Sequence, residues 1–244
     1  MATLPEIPDR APHIERAIHK ALDQERRQRA KAPFLSMSEI GGCERNLWAG
    51  LHGIPEESDP DPLLLGIFQL GHTIEAHVIE LLRLSGRTVV DRDPQTGKQF
   101  RYVDFDDRLR GRSDGFIEIG TDRKRLAVLE IKSANTSQFE QAEKLGIKAW
   151  RPGYFDQAQA YMGYSKHEEA LVVVFAKETG RIYAERIRFD VEHFHALRLK
   201  AGRVLDGELP ERPEAATSQS CSFCRFCRRA EWCYGPLSET NFDD

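Results

Sequence analysis

The segment GRSDGFIEIGTDRKRLAVLEIKSA, residues 111–134, places charged side chains where a buried pair of strands is expected. Its two apolar runs, FIEI and LAVLEI, predict short strands joined by a charged turn. Asp114 stands at the start of the first strand, and Glu130 and Lys132 stand at the end of the second. Because a buried carboxylate without a partner is costly, these three charged groups need a common reason to lie at one sheet edge.

A divalent cation would provide that reason. Asp114 and Glu130 would supply hard oxygen ligands of the kind that Mg²⁺ and Mn²⁺ prefer. Glu130 and Lys132 are two residues apart, so they share one face of the strand, while Ile131 points into the core. Lys132 is then placed to orient a water or to hold a phosphate oxygen, and the Ile131 carbonyl is a further candidate ligand. The alternative is a pair of surface salt bridges, which the apolar run LAVLE argues against.

The order of the motifs between residues 71 and 161 resembles that of the PD-(D/E)XK nuclease superfamily, in particular its RecB-like exonuclease branch. GRSDG is followed by EIK, with GHTIE upstream and QAQAY downstream. The resemblance implies two sets of residues. The ligands of Mg²⁺ or Mn²⁺ would be Glu75, Asp114, Glu130 and Ile131, and the catalytic residues would be Asp114, Glu130, Lys132, Gln157 and Tyr161.

Two of these assignments have alternatives. Many members of the branch carry histidine at the position of Glu75, so His72 and His77 compete with it as ligands. Gln157 and Tyr161 are four residues apart and share a helical face. Ordinary packing of these two side chains is the other reading of that spacing.

Four of the five cysteines fall within CSFCRFCRRAEWC, residues 221–233, and the fifth is Cys43. An odd number of cysteines in a chain expected to be cytosolic argues against a disulfide framework. Clustered thiolates select zinc or an iron–sulfur cluster. The residues alone leave both open, since four local cysteines suffice for zinc.

A subset of the RecB-like nucleases favours the cluster. AddB-type subunits and the CRISPR-associated RecB-like exonucleases have one cysteine before the nuclease core and three after it, spaced C-x2-C-x5-C. Cys43, Cys224, Cys227 and Cys233 match, and the resemblance implies a 4Fe–4S cluster that joins the two ends of the chain. Cys221 is then spare, although the spacing also permits Cys221 and Cys224 as the first pair.

The remaining segments predict an α/β fold, a restriction-endonuclease-like core in which helices flank both faces of a central mixed sheet. A capping box from Ser36 to Glu39 predicts a short helix that holds Cys43. The expected order is an amphipathic helix over 10–31, a long, largely buried helix ending near Gly86, strands at RTVVD and KQFRYVDF, helices at TSQFEQAEKLG and GYFDQAQAYMGYS, strands over 170–176 and 181–189, and a helix over 191–205. We divide the chain into an N-terminal helical segment (1–62), a nuclease core (63–206) and a C-terminal cysteine-rich segment (207–244).

Composition fits a soluble protein, with 40% hydrophobic residues and a net charge of −4. No run reaches the roughly 18 apolar residues of a membrane span, so we expect the cytoplasm of a bacterium or of a phage-infected cell and no membrane partner. The expected function is metal-dependent exonuclease action on single-stranded DNA or DNA ends, in recombination, repair or phage DNA processing. Further partners would be a second copy of the chain or a recombination or replication protein. The residues expected to line the path of a DNA strand are Arg112, Lys144, Lys148, Trp150 and Arg151.

Two other functions remain open. The chain would be a non-catalytic DNA-binding or assembly subunit that keeps the nuclease fold, or a zinc-binding module on an unrelated enzyme. The intact set of Asp114, Glu130 and Lys132 argues against the first of these.

Overall fold

The computed structural model describes residues 11–28, 34–57, 63–120 and 125–235. The helices are α1 (Pro12–Gln28), α2 (Glu44–Leu51), α3 (Leu63–Leu84), α4 (Thr136–Leu145), α5 (Ile147–Trp150), α6 (Pro152–Ser165), α7 (Val191–Asp206) and α8 (Ala230–Tyr234). The strands are β1 (Leu35–Ser36), β2 (Val89–Val90), β3 (Arg101–Asp104), β4 (Leu109–Arg112), β5 (Gly115–Ile119), β6 (Arg125–Ala134), β7 (Glu169–Ala176) and β8 (Ile182–Arg188).

A five-stranded mixed sheet with the order β2-β5-β6-β7-β8 forms the centre of the molecule. β6 runs antiparallel to β5 and parallel to β7, and β8 returns antiparallel to β7. A second sheet of three short strands has the order β1-β4-β3. The predicted α/β class with a central mixed sheet is confirmed.

Side chains alternate between the two faces of β6, as the period of a strand requires. Leu129 and Ile131 pack in one apolar cluster with Ile74 and Val78 of α3. Val128 belongs to the other cluster, which also contains residues of α2, α4, α6 and α7. Helices therefore cover both faces, as predicted, and Glu130 and Lys132 lie on the α6 side.

The strands before Asp114 differ from the prediction. The expected strand KQFRYVDF is confined to Arg101–Asp104, and the chain reverses through Phe105, Asp106 and Asp107, which all have positive φ. The chain then forms β4, which the sequence did not indicate because two of its four residues, LRGR, are charged and one is glycine. Asp114 consequently follows β4 and precedes β5, where the prediction had it open a strand.

The predicted capping box is wrong. Ser36 lies in β1, where Leu35 N and Met37 N donate to the carbonyls of Arg108 and Arg110 at 2.8 Å each. Residues 37–42 form turns, and α2 begins only at Glu44, with Cys43 as its N-cap residue. Pairing with β4 holds the chain extended at Ser36, so a tertiary contact overrides a local helix signal.

The long helix α3 is buried over only part of its length. Ile74 and Val78 are buried against the sheet, whereas Ile67 and Leu70 are 53% and 48% exposed, so the prediction of a largely buried helix is wrong for the first half. The amphipathic helix α1 packs beside α3, where Gln69 Nε2 donates to Glu25 Oε2 at 3.1 Å. None of the described helices is long and apolar enough to cross a bilayer.

Candidate active site

Asp114 is held where β5 separates from β6. The ladder between these strands ends at Gly115 and Leu129. Beyond it, Ile131 N donates to Asp114 Oδ2 at 2.7 Å, so a carboxylate takes the place of a backbone carbonyl. Gly115 has φ 141°, and a Cβ there would lie 2.5 Å from the Val90 carbonyl oxygen. Only glycine fits this close approach, which directs the Asp114 side chain towards β6.

Glu130 and Lys132 begin a chain of hydrogen bonds that crosses from β6 to α6. Lys132 Nζ donates to Glu130 Oε1 at 2.5 Å and to Gln157 Oε1 at 2.9 Å. Gln157 Nε2 in turn donates to the Tyr161 hydroxyl at 3.1 Å. The structure thus brings together four residues that the sequence placed in two separate motifs.

The second carboxylate oxygen of Glu130 has no hydrogen-bond partner within the part of the chain that the structure describes. Glu130 is 2% exposed, and its Oε2 receives no hydrogen bond from any described residue. Buried polar atoms in proteins nearly always have a partner, so an orphaned carboxylate oxygen beside a second carboxylate is unusual. The oxygen donors present here suit a hard divalent cation.

The electrostatics of the site favour a bound cation. Burial, followed by the negative charges of Glu130 and Glu75, raises the pKa of Asp114 well above its ordinary value. Burial also raises the pKa of Glu130, although Lys132 opposes the shift. For Lys132 burial acts to lower the pKa, but the charge and hydrogen bond of Glu130 outweigh it and the pKa is raised. The amine is therefore protonated. Its single positive charge does not bring the pKa values of the two buried carboxyl groups down to their ordinary range.

Glu75 lies on α3 near these groups but does not complete a visible ligand set. Its Oε1 accepts from Gln99 Nε2 at 3.1 Å, and its Oε2 lies 3.5 Å from Nδ1 of the exposed His72. His77 points elsewhere, with its ring edge-on to that of Phe175. In the described part of the chain, no three histidine, cysteine, aspartate or glutamate side chains are arranged to hold a metal ion. Glu75 as a metal ligand stays a prediction.

The second sheet supports the site through a glycine and a tyrosine. A Cβ on Gly111 of β4 would lie 2.7 Å from Cε1 of Tyr161 and 2.6 Å from Sδ of Met37. Tyr102 of β3 packs on the Tyr161 ring with a centroid distance of 5.6 Å, and its hydroxyl lies 3.1 Å from Ser113 Oγ. Both glycines of the GRSDG motif therefore have a steric role.

Tyr154 was missed in the sequence. Its ring centroid lies 4.8 Å from Lys132 Nζ. Tyr154 is three residues before Gln157 on α6, so helical periodicity was the signal that would have found it. Ser113 and Tyr102 carried no comparable signal, because they reach the site only through the pairing of β3 with β4.

Of the residues expected to line the path of a DNA strand, only some lie close to one another. The Trp150 ring contacts that of Tyr154, and both Trp150 Nε1 and Arg151 Nη2 donate to Gln138 Oε1, at 3.2 and 2.8 Å. Lys148 Nζ lies over the Phe155 ring at 4.6 Å. Lys144 and Arg112 are exposed, on α4 and β4 respectively.

The predicted cluster cysteines converge on one cavity. Cys43, Cys224, Cys227 and Cys233 all line a space of about 1100 Å³. Burial, with the charges of Cys43 and Cys233, raises the pKa of Cys227. The expected meeting of the N-terminal and C-terminal cysteines is therefore present. A 4Fe–4S cluster is not confirmed, since no metal-holding group was found among the described residues.

Cys221, which the resemblance leaves without a role, has a thiol with a lowered pKa. Hydrogen bonds from backbone amides, with that of Ser218 first, lower its pKa to about 6. The alternative in which Cys221 and Cys224 form the first pair of ligands stays open.

Comparison with known proteins bears on the fold. No family model matches the chain, and no curated protein matches it. The fold is similar to that of SSO0001, with a TM-score of 0.52 at 14% identity over 92% of this chain and 98% of the other. It is also similar to an alkaline exonuclease, LHK-Exo from Laribacter hongkongensis, with a TM-score of 0.49 at 17% identity over 71% of this chain and 86% of the other. A phage-related exonuclease from Haemophilus somnus 129PT gives a TM-score of 0.49 at 14% identity over 70% and 91%.

Proposed function

We propose that this chain is a metal-dependent deoxyribonuclease that hydrolyses phosphodiester bonds of DNA. The observation that carries the proposal is the charged centre on β6. A lysine is fixed between a buried glutamate and a glutamine, and the glutamate has one oxygen without a partner beside Asp114. Such a costly arrangement is expected at sites where charge is needed for binding or chemistry.

The side chains of Asp114 and Glu130 and the carbonyl of Ile131 would hold Mg²⁺ or Mn²⁺, with Glu75 as a further ligand. A divalent ion bound there would lower the pKa of a water and stabilise the negative charge that develops on a phosphate. The unpartnered oxygen of Glu130 and the raised pKa of Asp114 are the features of this chain that support the assignment.

The remaining residues would position the reacting groups and donate hydrogen bonds to them. Lys132, held protonated by Glu130, would orient the attacking water or donate to a phosphate oxygen. Gln157 fixes the amine through its carbonyl oxygen and fixes Tyr161 through its amide. Burial raises the pKa of Tyr161, so its hydroxyl stays a hydrogen-bond donor to the scissile phosphate or the strand.

We propose exonuclease action on single-stranded DNA or DNA ends, in recombination, repair or phage DNA processing. The order of motifs over residues 71–161 supports this. Further support comes from Tyr154, which contacts Lys132, and from Trp150 and Arg151, which continue from Tyr154 as a row of contacts.

The experiment uses single-stranded DNA labelled at either end, with Mn²⁺, and compares wild type with Lys132→Ala. We expect Lys132→Ala to cleave about 100-fold more slowly or worse, while Lys177→Ala, an exposed lysine between β7 and β8, cleaves as wild type. Equal rates for Lys132→Ala and wild type would eliminate the site. If wild type cleaves no end type, the non-catalytic DNA-binding subunit is favoured.

For the cysteines we propose a 4Fe–4S cluster, with Zn²⁺ as the alternative. The shared cavity of Cys43, Cys224, Cys227 and Cys233 supports the assignment, since soft thiolates select both groups. Purified protein with a cluster would contain iron and sulfide and would absorb broadly at about 400 nm, whereas a zinc protein would be colourless. Cys43→Ser should lower the iron content and Cys221→Ser should not.

A further inference from the structure

Two phenylalanines alternate with the cysteines of the C-terminal segment and are much more exposed than Cys224. Cys224 is 7% exposed, whereas Phe223 and Phe226 are 47% and 82% exposed. Among the large apolar side chains of the described residues, Phe226 is the most exposed. Adjacent exposed aromatic rings are unfavourable in water and commonly mark a binding surface.

The positive charge of this loop is available to a ligand. The Arg225 guanidinium lies over the Phe226 ring at 4.8 Å and makes no ion pair with any residue in the described ranges. An aromatic ring beside an uncompensated guanidinium is the pairing that recognises an unstacked base next to a phosphate.

Phe223 and Phe226 lie on the wall of the same cavity that the cysteines line. The start of α6, from Arg151 to Tyr154, forms another part of its wall, and the Tyr154 ring also contacts Lys132. The cavity therefore extends from the aromatic loop to the edge of the candidate active site. Its volume of about 1100 Å³ is at the upper limit for small-molecule pockets, which suits a segment of a polymer.

Arg229 of the wall is paired with Glu56 at 3.6 Å, which leaves Arg45 and Arg151 against Glu39. The Nε of Arg45 is buried and has no hydrogen-bond partner among the described residues. Arg151 is bonded to the neutral amide of Gln138, so its charge is not cancelled by a carboxylate. A negatively charged strand complements this wall.

We infer that the cavity binds a single DNA strand on its way to the active site, with bases stacked on Phe223 and Phe226 and phosphates near Arg225 and Arg151. The inference rests on the proposed nuclease function and specifies its substrate as a strand with unpaired bases. A duplex hides the faces of its bases, so it cannot stack on the two rings. A metal group held by the cysteines would share this cavity, and the exposure of Phe223 and Phe226 leaves their rings available to a base.

The test measures binding of a fluorescein-labelled oligothymidine in EDTA, where cleavage does not interfere. We expect Phe226→Ala to weaken binding by about fivefold or more, the double change Phe223→Ala with Phe226→Ala to weaken it further, and Phe226→Trp to retain it. Leu84→Ala is the matched control, since Leu84 is 81% exposed at the end of α3 and away from the cavity. Its binding should equal that of wild type.

Two further measurements separate this inference from the proposed function. Cleavage of a small chromogenic phosphodiester with Mn²⁺ needs only the active site, so Phe226→Ala should leave it unchanged while binding is lost. A blunt duplex should bind wild type and Phe226→Ala equally. Iron or zinc content and the melting temperature of Phe226→Ala should match wild type, which shows that the loop is intact.

Unchanged oligothymidine binding by Phe226→Ala, or no binding by wild type, would overturn the inference. A change in oligomeric state without a change in DNA affinity would overturn it too, because the loop would then be a protein interface. Failure of the proposed function alone would appear as no cleavage of either substrate by wild type, with the binding differences intact.

Discussion

A backbone hydrogen bond holds the Asp114 carboxylate in place, although its electrostatic surroundings disfavour the charged form. The Ile131 amide binds its carboxylate, but burial and the charges of Glu130 and Glu75 all favour the protonated form. In the absence of a cation the ionised side chain therefore lowers the stability of the folded protein. This conflict is a property of residues that serve function more than folding.

We expect Asp114→Asn to stabilise the metal-free protein by about 0.5–2 kcal/mol at neutral pH and to abolish cleavage. The asparagine oxygen can still accept from Ile131, while the charge is lost. The pKa of Asp114 is raised in the folded state, so wild type loses stability as pH rises from the unfolded pKa towards the folded one. The gap between variant and wild type should be absent well below pH ~4 and should widen above it.

Thermal unfolding in EDTA at several pH values checks this, with Asp104→Asn as the control. The hydrogen bond from Arg198 lowers the pKa of Asp104, so its charge stabilises the fold above the unfolded pKa and the benefit is lost on acidification. Asp104→Asn should therefore destabilise at neutral pH. A variant of Asp114 that melts below wild type at neutral pH would contradict the electrostatic argument.

At the scale of elements, the glycines of β4 and β5 allow neighbouring segments to pack closely against these strands. Gly111 makes room for Tyr161 and Met37, and Gly115 makes room for the backbone of β2. Gly71 on α3 differs, because a Cβ there would meet nothing within 4 Å. The GHTIE motif therefore has no steric need for its glycine in this chain.

We expect Gly111→Ala to destabilise the fold by about 1–3 kcal/mol, since its methyl group would overlap Tyr161 and Met37. Cleavage should fall with it, because Tyr161 must shift. Gly71→Ala should raise stability by about 0.5–1 kcal/mol, as expected for an unhindered glycine in a helix. Urea unfolding of both variants measures the difference, and a Gly111→Ala protein as stable as wild type would refute the packing argument.

The elements that the sequence predicted are those with a strong period. β5 alternates buried and half-buried residues and β6 contains the apolar run LAVL, so both strands were predicted from their residues, whereas Gln157 and Tyr161 were assigned to the site by the resemblance. β4 was not predicted, because its charged residues make sense only beside β1 and β3. The capping box predicted at Ser36 failed for the same reason, since the pairing of Ser36 with the distant Arg110 decided a local conformation.

At the scale of the whole molecule, the C-terminal segment binds α2 and the loop after it. Trp48 Nε1 donates to the Gly207 carbonyl at 3.1 Å, and Arg45 Nη1 donates to the Pro210 carbonyl at 2.7 Å. Arg229 donates through Nε to the Ile54 carbonyl at 2.9 Å and through Nη1 to Asn46 Oδ1 at 3.1 Å. The resemblance implied that Cys43 and the C-terminal cysteines meet, but these polar contacts had no sequence signal.

Arg229 is one of several side chains that join the cysteine-rich segment to the N-terminal part of the chain, and it makes two hydrogen bonds across this contact. We expect Arg229→Ala to cost about 1.5–3 kcal/mol, because it removes charged hydrogen bonds and leaves the Ile54 carbonyl and Asn46 with fewer donors. Hydrogen exchange should show faster exchange in α2 than in the central sheet. Arg212→Ala is the control, since Arg212 Nε bonds only within the segment, to the Cys233 carbonyl at 2.8 Å. If both variants loosen α2 equally, Arg229 has no special part in holding the C-terminal segment on α2, and contacts such as those of Trp48 and Arg45 would hold it there.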